Sequence, residues 1–377
     1  MSLILSPART SKAEHRSGVP PSKYDRIRDF LAERGAHSFR YRQVLEAIFR
    51  HRIGYFSNMT ALPLGLRRDL EARFGPTILN LRRVTTRHSD QAEKALYEMD
   101  GRHRVEAVAL KFKAGWESFC ISSQAGCAFG CSFCATGKIG LMRNMTADEI
   151  TDQLLDFHLL GHTIDSVAFM GMGEPLSNVH LFTALDLMTR KDLFGMSARR
   201  ITVSTIGVVP SIEKLGLNYP QVNLTVSLHS PFDDQRSLMM PINRKYPIAH
   251  LMDALDAHLT RTRRKSYLAY VLINGVNDSP EHAKALAELV ARHSLRRELL
   301  QISLIRFNQA PSVSEGYLRS GPASIQRFQA VLDRAGVKST VRASFGNDIA
   351  AACGQLSAEY TSKAPIKEYP DDQPPAA

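Results

Sequence analysis

Apolar side chains between Tyr24 and Gly75 recur every three or four residues: Tyr24, Ile27, Phe30 and Leu31, then Val44, Leu45, Ile48 and Phe49, then Leu66, Leu70 and Phe74. That spacing puts them on one face of a helix and predicts a small helical domain, assigned to residues 23–85. The period then changes. Residues 95–112, ALYEMDGRHRVEAVALKF, are extended on both sides of Asp100-Gly101, a strong turn pair, and predict a hairpin within a linking segment at 86–114. Glu106 falls in its second strand, on one face with Val108 and Leu110, while Val105 and Ala107 occupy the other. Neither face is plainly solvent-directed, so a buried carboxylate and a strand-edge glutamate near water both fit.

From residue 115 short β-rich runs alternate with helical ones. Strands are expected at 117–123, 165–170, 200–205, 222–228, 266–273 and 299–306, with a further one at 337–343. Among the helices, Thr146 to Leu160 has the clearest start, because Thr146 and Glu149 make a capping box ahead of Ile150, Leu154, Leu155 and Phe157. This rhythm implies a parallel sheet. About six units are too few for the eight of a closed barrel. The fold class expected is therefore α/β: a partial (β/α)6 barrel over residues 115–358, preceded by the helical accessory domain. Residues 1–22 and 359–377, rich in Pro, Ser and charge, carry no apolar pattern and are expected as flexible tails.

The distinctive polar residues collect at one edge of that scaffold. A cysteine-containing loop follows the first expected strand and Gly171-Met172-Gly173-Glu174-Pro175 the second; Ser204 ends the third, Ser227-Leu228-His229 end the fourth, and Asn308 lies just past the sixth. Parallel β/α sheets build ligand sites at the C-terminal ends of their strands, so segments far apart in sequence can meet there. Taken singly, each has a plain structural reading: a turn, a satisfied core histidine, a helix cap. Their shared edge favours function.

Composition narrows the class without choosing a ligand. Apolar content of 44% and charged content of 23% are ordinary for a folded domain. No apolar run reaches membrane-spanning length and the N-terminus, MSLILSPARTSKAEHR, lacks the long apolar core of a signal peptide, so a cytoplasmic protein is expected. A net charge of +11 makes the surface attractive to polyanions, with RNA the leading candidate. Arg40, Arg42, Arg50, Arg52, Arg67 and Arg68 on the helical domain, Arg199-Arg200 and the run from Arg261 to Lys265 are candidate phosphate contacts. The same residues fit a solvated helix surface equally well.

Five cysteines complete the picture. Cys127, Cys131 and Cys134 form a C-x3-C-x2-C cluster in CAFGCSFC; Cys120 lies just upstream and Cys353 near the C-terminus. Clustered cysteines at low overall usage point to metal or catalytic roles in a reducing compartment. A structural zinc wants a fourth ligand, and between His103 and His158 the only further one is Cys120. Three thiolates instead suit an iron–sulfur cluster with one iron left open, and Gly126 and Gly130 let the backbone wrap closely round the sulfurs.

At this point the residues carry a family resemblance. A C-x3-C-x2-C motif opening a partial β/α barrel resembles the radical S-adenosylmethionine (SAM) superfamily. SFCISSQAGCAFGCSFCATG, GMGEP, ITVSTIG, SLHSP, PIN and AACGQL occur in the order seen in the Cfr and RlmN rRNA adenine methyltransferases, over roughly residues 24–358. FKAGWESFCISSQ, DEITDQLLDFHLLGH, STIG and YPQVNL look closer to Cfr, which methylates C8, than to RlmN, which methylates C2. GMGEP departs from the best-known Cfr sequences, which have alanine where this chain, like RlmN, has Pro175.

By that resemblance Cys127, Cys131 and Cys134 would hold a 4Fe-4S cluster, and Gly173, Glu174, Ser204, Ser227, Leu228, His229 and Asn308 would bind SAM, two molecules of which are used per turnover. Cys353 would carry the methyl group as S-methylcysteine, Cys120 would be the resolving cysteine and Glu106 the proton acceptor. C8 and C2 of adenine are electron-poor, so the implied route is radical. Cys353 takes a methyl from one SAM, a radical from the second abstracts hydrogen from that methyl, and the resulting carbon adds to the base. Cys120 then attacks the Cys353 sulfur, freeing the product and leaving a transient disulfide. The implied substrate is adenine 2503 of 23S rRNA, with resistance to ribosome-targeting antibiotics as the consequence. An electron donor such as flavodoxin or ferredoxin is implied, and a monomer is expected. Two alternatives stand beside it: an RlmN-like C2 enzyme that also accepts tRNA, and a non-catalytic iron–sulfur or zinc RNA-binding module.

Overall fold

The computed structural model describes residues 20–293, 296–310, 313 and 316–356. The chain opens with three helices, α1 (Lys23–Glu33), α2 (Phe39–Phe49) and α3 (Leu64–Phe74). Their periodic residues Tyr24, Ile27, Leu31, Val44, Ile48 and Leu70 are buried as the spacing requires. Ser22 caps α1, its side chain accepting from the Asp25 N–H. The remainder of the expected N-terminal tail, the last two residues assigned to the barrel (357 and 358) and the expected C-terminal tail lie outside the described residues.

Strands β1 (Arg82–His88), β2 (Ala92–Met99), β3 (His103–Lys111) and β4 (Glu117–Cys120) follow as an antiparallel meander. A short separate pair, β5 (Gln124–Cys127) and β6 (Gly140–Asn144), brackets the cysteine loop and helix α4 (Ala135–Ile139). Then come α5 (Ala147–Leu159), β7 (Ser166–Phe169), α6 (Leu181–Thr189), β8 (Ile201–Thr205), α7 (Val209–Asn218) and β9 (Asn223–Ser227). The chain continues through α8 (Asp233–Met239), α9 (Ile248–Thr262), β10 (Ser266–Leu272), α10 (Pro280–His293), β11 (Leu300–Arg306), α11 (Pro322–Arg334) and β12 (Ser339–Val341).

Ten strands make one open sheet in the order β1-β2-β3-β4-β7-β8-β9-β10-β11-β12. From β4 onward every neighbour is parallel, which realises the six expected barrel strands and the short seventh. Two features differ from the sequence pattern. The hairpin expected as a linker is continuous with the barrel, because β4 pairs antiparallel with β3 on one side and parallel with β7 on the other. The extra strand β1, RRVTTRH, starts inside the stretch assigned to the helical domain. It carries little apolar signal because it is an edge strand, and charged edges are how sheets avoid further pairing.

Helix α5 is the joint between the helical region and the barrel. Its capping box forms as expected, Thr146 accepting from the Glu149 N–H and Glu149 from the Thr146 N–H. Asp148, Asp152 and Asp156 repeat every four residues, so they share one face. Asp148 accepts from the Lys23 backbone N–H at 2.9 Å and from Arg26 at 3.0 Å; Asp152 pairs with the Lys23 ammonium and accepts from the Asn80 N–H at 2.6 Å. Asp156 accepts from Arg83 and from the Tyr97 hydroxyl, at 2.7 and 2.8 Å. Phe157, next to the stripe, packs on Phe119 of β4, ring centroids 5.1 Å apart, and each such buried ring contributes ~1.5–3 kcal/mol. No helix of the described residues is long and apolar enough to cross a membrane.

Candidate active site

The parallel strands end on a common cavity. Its walls include Cys127, Cys131 and Cys134, Gly173 and Glu174 after β7, Ser204 in β8, Ser227 and His229 at the end of β9, Asn308 after β11, and Cys353. Every one of these was singled out by the sequence pattern; Leu228, also expected here, is fully buried beside them. The convergence follows from parallel pairing, which brings all the C-terminal strand ends to one edge.

Close backbone approach shapes the cysteine loop. Gly126 has φ of +76°, and a Cβ there would lie 1.9 Å from the Gly140 carbonyl oxygen across the β5–β6 ladder. Burial pushes the Cys127 thiol up to about 11 and raises that of Cys131 further, with the neighbouring cysteines adding to both shifts. Thiols raised in this way need nearby positive charge to be held ionised, so Cys127 and Cys131, with Cys134 beside them, form a donor set that fits a cationic iron–sulfur group.

Glu174 is buried and spans two loops. Its carboxylate accepts from the Leu176 N–H at 3.0 Å and the Ile206 N–H at 2.8 Å, while its own N–H donates to Gln124 at 2.7 Å. Burial lifts its carboxyl to about 7 against those hydrogen bonds. Gly173, φ +92°, allows the turn, since a Cβ would sit 2.5 Å from Gln124. His229 adopts a left-handed backbone, φ +61°, and its Nδ1 accepts from the Val271 N–H at 2.9 Å; burial and Arg236 drive its pKa down to about 3, so the ring is neutral.

Sequence reasoning missed Arg236. Buried to 1% exposure, it donates to the carbonyls of Ile206, Ser227 and Leu228 at 2.8, 3.1 and 3.1 Å and to Asn243 at 2.6 Å, the asparagine of the PIN motif. It fixes the β8 and β9 ends. The available signal was PIN itself, whose partner spacing alone does not reveal.

A second cavity adjoins the first and shares Met170, Ile305, Asn308, Arg342 and Cys353 with it. Cys120 lines this one, together with Val108, its partner across the β3–β4 ladder. Burial pushes the Cys120 thiol up to about 12, the nearby Cys353 adding to the shift and Arg342 opposing it. Cys353 itself is exposed, on a loop pinned from several sides: Asn308 donates to its carbonyl at 3.2 Å, the Ala135 N–H at the start of α4 donates to Gly354 at 3.0 Å, and Gln355 donates to the Gln309 carbonyl at 2.8 Å. Arg342, also missed, lies where the two cavities meet.

Glu106 is 1% exposed and lines neither cavity; its carboxylate pairs with the buried Lys94 at 2.8 Å. Of the two sequence readings, burial holds. Lys94 also donates to the Ala350 carbonyl at 3.1 Å, three residues before Cys353. Among the basic residues, Arg42, Arg50, Arg52, Arg68, Arg199, Arg200, Arg261, Arg263 and Lys265 are exposed, while Arg40, Arg67 and Arg264 are half-buried with protein partners.

The radical SAM superfamily model matches residues 121–288. A ribosomal RNA large subunit methyltransferase Cfr of Staphylococcus warneri is 50% identical over 339 residues, which are 90% of this chain and 97% of the relative. The chain belongs to the Cfr family of radical SAM methyltransferases. The Cfr protein of Bacillus velezensis is 49% identical over 90% of this chain and 97% of its own, and that of Clostridium botulinum (strain Loch Maree / Type A3) 46% over 90% and 98%. Among solved structures, a radical SAM methyltransferase from Sphaerobacter thermophilus superposes with a TM-score of 0.83 at 37% identity, covering 89% of this chain and 99% of that one. Members of the superfamily use a 4Fe-4S cluster and SAM.

Proposed function

We propose that this chain methylates C8 of an adenine in 23S rRNA, using Cys353 as the methyl carrier and Cys120 as the resolving thiol. The observation that carries the reading is the position of Cys353, which lines both the cavity of the cluster cysteines and the cavity of Cys120. A carrier must face its methyl source and its acceptor in turn, and that position satisfies both. Cys127, Cys131 and Cys134 would hold the cluster; Gly173, Glu174, Ser204, Ser227, Leu228, His229 and Asn308 would form the SAM site.

When bound, the cluster and SAM would supply the methyl group and the radical that activates it. The chain's own residues do the rest. The Cys353 sulfur holds the methyl as a thioether at the mouth of the second cavity, to which the base is admitted. Resolution is a two-electron step: the Cys120 sulfur bonds to the Cys353 sulfur, the carbon–sulfur pair leaves with the carbon, which takes up a proton, and the two cysteines end as a disulfide. Because burial holds Cys120 as a thiol, Arg342 beside it assists its ionisation. Glu106, two residues from Val108 on the cavity floor, is the proton acceptor, and Lys94 ties it to the Cys353 loop. The helical region and its exposed arginines supply backbone contacts to the RNA. An external electron donor such as a flavodoxin or ferredoxin completes the system, and loss of drug binding at the modified ribosome gives antibiotic resistance.

Mass spectrometry of nucleosides from rRNA treated with the reconstituted enzyme tests this. 8-methyladenosine is expected. 2-methyladenosine as the sole product would overturn the C8 assignment in favour of the RlmN-like reading, to which Pro175 in GMGEP conforms.

A further inference from the structure

One face of the hairpin joining β3 to β4 forms the floor of the second cavity. Three cross-strand pairs compose it: Val108 with Cys120, Leu110 with Ser118, and Phe112 with Trp116, the last joined by the Phe112 N–H donating to the Trp116 carbonyl at 3.0 Å. Cys120 stands at one end and the aromatic pair at the other. Trp116 lies four positions before Cys120, about 13 Å away at ~3.3 Å per residue. A base that reaches the cysteines therefore leaves the aromatic end of the floor for something else.

That end has the shape of a stacking platform. Phe112 and Trp116 lie face to face, ring centroids 3.8 Å apart and planes 4° from parallel, and Phe345 meets Phe112 edge-on at 5.5 Å and 80°. Phe345 braces the pair through Phe112. Trp116, the chain's single tryptophan, nevertheless remains 41% exposed. An aromatic pair serving only to close the hairpin would gain by burying that ring, since each ring left in water forgoes its share of apolar transfer free energy. Single-stranded RNA offers the matching chemistry: a flat π-face on every base, splayed out wherever the strand is unpaired.

We propose that Trp116, backed by Phe112, stacks an unpaired RNA base neighbouring the target adenine, so that the cavity floor engages two nucleotides. The proposal rests on the RNA-methylating function argued above. It gives the substrate a second anchor, and it requires the target to lie in unpaired RNA on the side that faces the hairpin. Because stacking reads no base edges, the neighbour's identity should matter little.

The sole tryptophan makes the test direct. Full-length, cluster-loaded enzyme is titrated with a single-stranded RNA oligonucleotide containing the target adenine and with a fully paired duplex of the same sequence. Tryptophan fluorescence should be quenched by the single strand and not by the duplex. Trp116→Ala should weaken binding of labelled single-stranded RNA roughly tenfold and raise KM for RNA with a smaller change in kcat, and Trp116→Phe should restore most of the affinity. Unchanged fluorescence at saturating single-stranded RNA, or RNA affinity in Trp116→Ala equal to wild type, would sink the proposal. Should Trp116→Ala fail to fold, the wild-type fluorescence and Trp116→Phe still decide. Methylation by the wild type is followed in parallel: absent methylation tells against the RNA-methylating function itself, whereas methylation with unquenched tryptophan removes only the second anchor.

Discussion

The two cavities that meet at Cys353 are built on opposite plans. The first is assembled from many separate segments: the cysteine loop and the ends of β7, β8, β9, β10 and β11 all line it, and buried Glu174, Arg236 and His229 bond the loop backbones to one another. The second is floored by one side of an antiparallel hairpin, mostly apolar and ending in the half-buried Phe112 stacked on the exposed Trp116. The difference matches what each is proposed to hold. Parallel strand ends leave backbone donors and acceptors free to position a charged cofactor, while a flat apolar floor accepts the face of a base. Cys353 belongs to both because its loop is held between α4 and the segment after β11.

Breaking the shared residue should have the largest effect. Cys353→Ala is expected to lower methylated product to background while the visible absorbance of the cluster stays unchanged; loss of that absorbance would mean the loop supports the first cavity as well. Cys120→Ala confines the damage to the second cavity, and RNA should then remain covalently attached to the protein on a denaturing gel. A freely released product from this variant would remove Cys120 from the resolving role.

Gly126→Ala strikes the first cavity alone. A methyl group 1.9 Å from the Gly140 oxygen, at positive φ, forces the β5–β6 pair apart, so iron bound per chain should fall severalfold after reconstitution. Arg236→Met is a milder break in the same cavity. It removes the donor to the Ile206 and Ser227 carbonyls and to Asn243, while the Leu228 carbonyl keeps the Ser230 N–H; at ~1–3 kcal/mol for each acceptor left unpaired before relaxation, the urea midpoint should shift by several tenths molar or more.

The smallest effect lies away from both cavities, where His162 bonds Glu93 and Glu117 at 3.3 and 3.2 Å and ties β2 and β4 to the loop after α5. Glu93 raises the His162 pKa against the opposing effect of burial; burial in turn opposes the drop of Glu93 to about 2 that His162 and Arg83 produce. A histidine whose folded pKa exceeds its unfolded value stabilises fully below about 6.5, and that contribution fades as pH rises through the folded value. Glu93 stays ionised throughout that window. The difference in unfolding free energy between wild type and His162→Gln, followed by urea melts, should therefore be widest near pH 6 and narrow toward pH 9, by an amount on the order of 1 kcal/mol. A constant gap would show that the ring acts only by packing.

Much of this was legible along the chain, and for a physical reason. Strand and helix periods are local, so six barrel strands, the three N-terminal helices and the Thr146 capping box could be read from neighbours in sequence. Strand-end position is local too, which is why Ser204, Ser227, His229 and Asn308 announced themselves. Glu106 was legible only as a choice between buried and edge positions, because its partner Lys94 lies across a ladder. The charged strand β1 and the Asp148, Asp152, Asp156 stripe escaped for the same reason: their meaning is set by what packs against them.

By itself, then, the sequence determined the chemistry available: three clustered thiols, two distant ones, and polar residues at the ends of a parallel sheet. Only the tertiary structure decided which of these meet. Parallel pairing gathered the strand ends, β4 joined hairpin to barrel, and a pinned C-terminal loop carried Cys353 to the boundary of both cavities, more than two hundred residues from Cys120. Contacts across such separations depend on the packing of every element between them, and no local pattern records it.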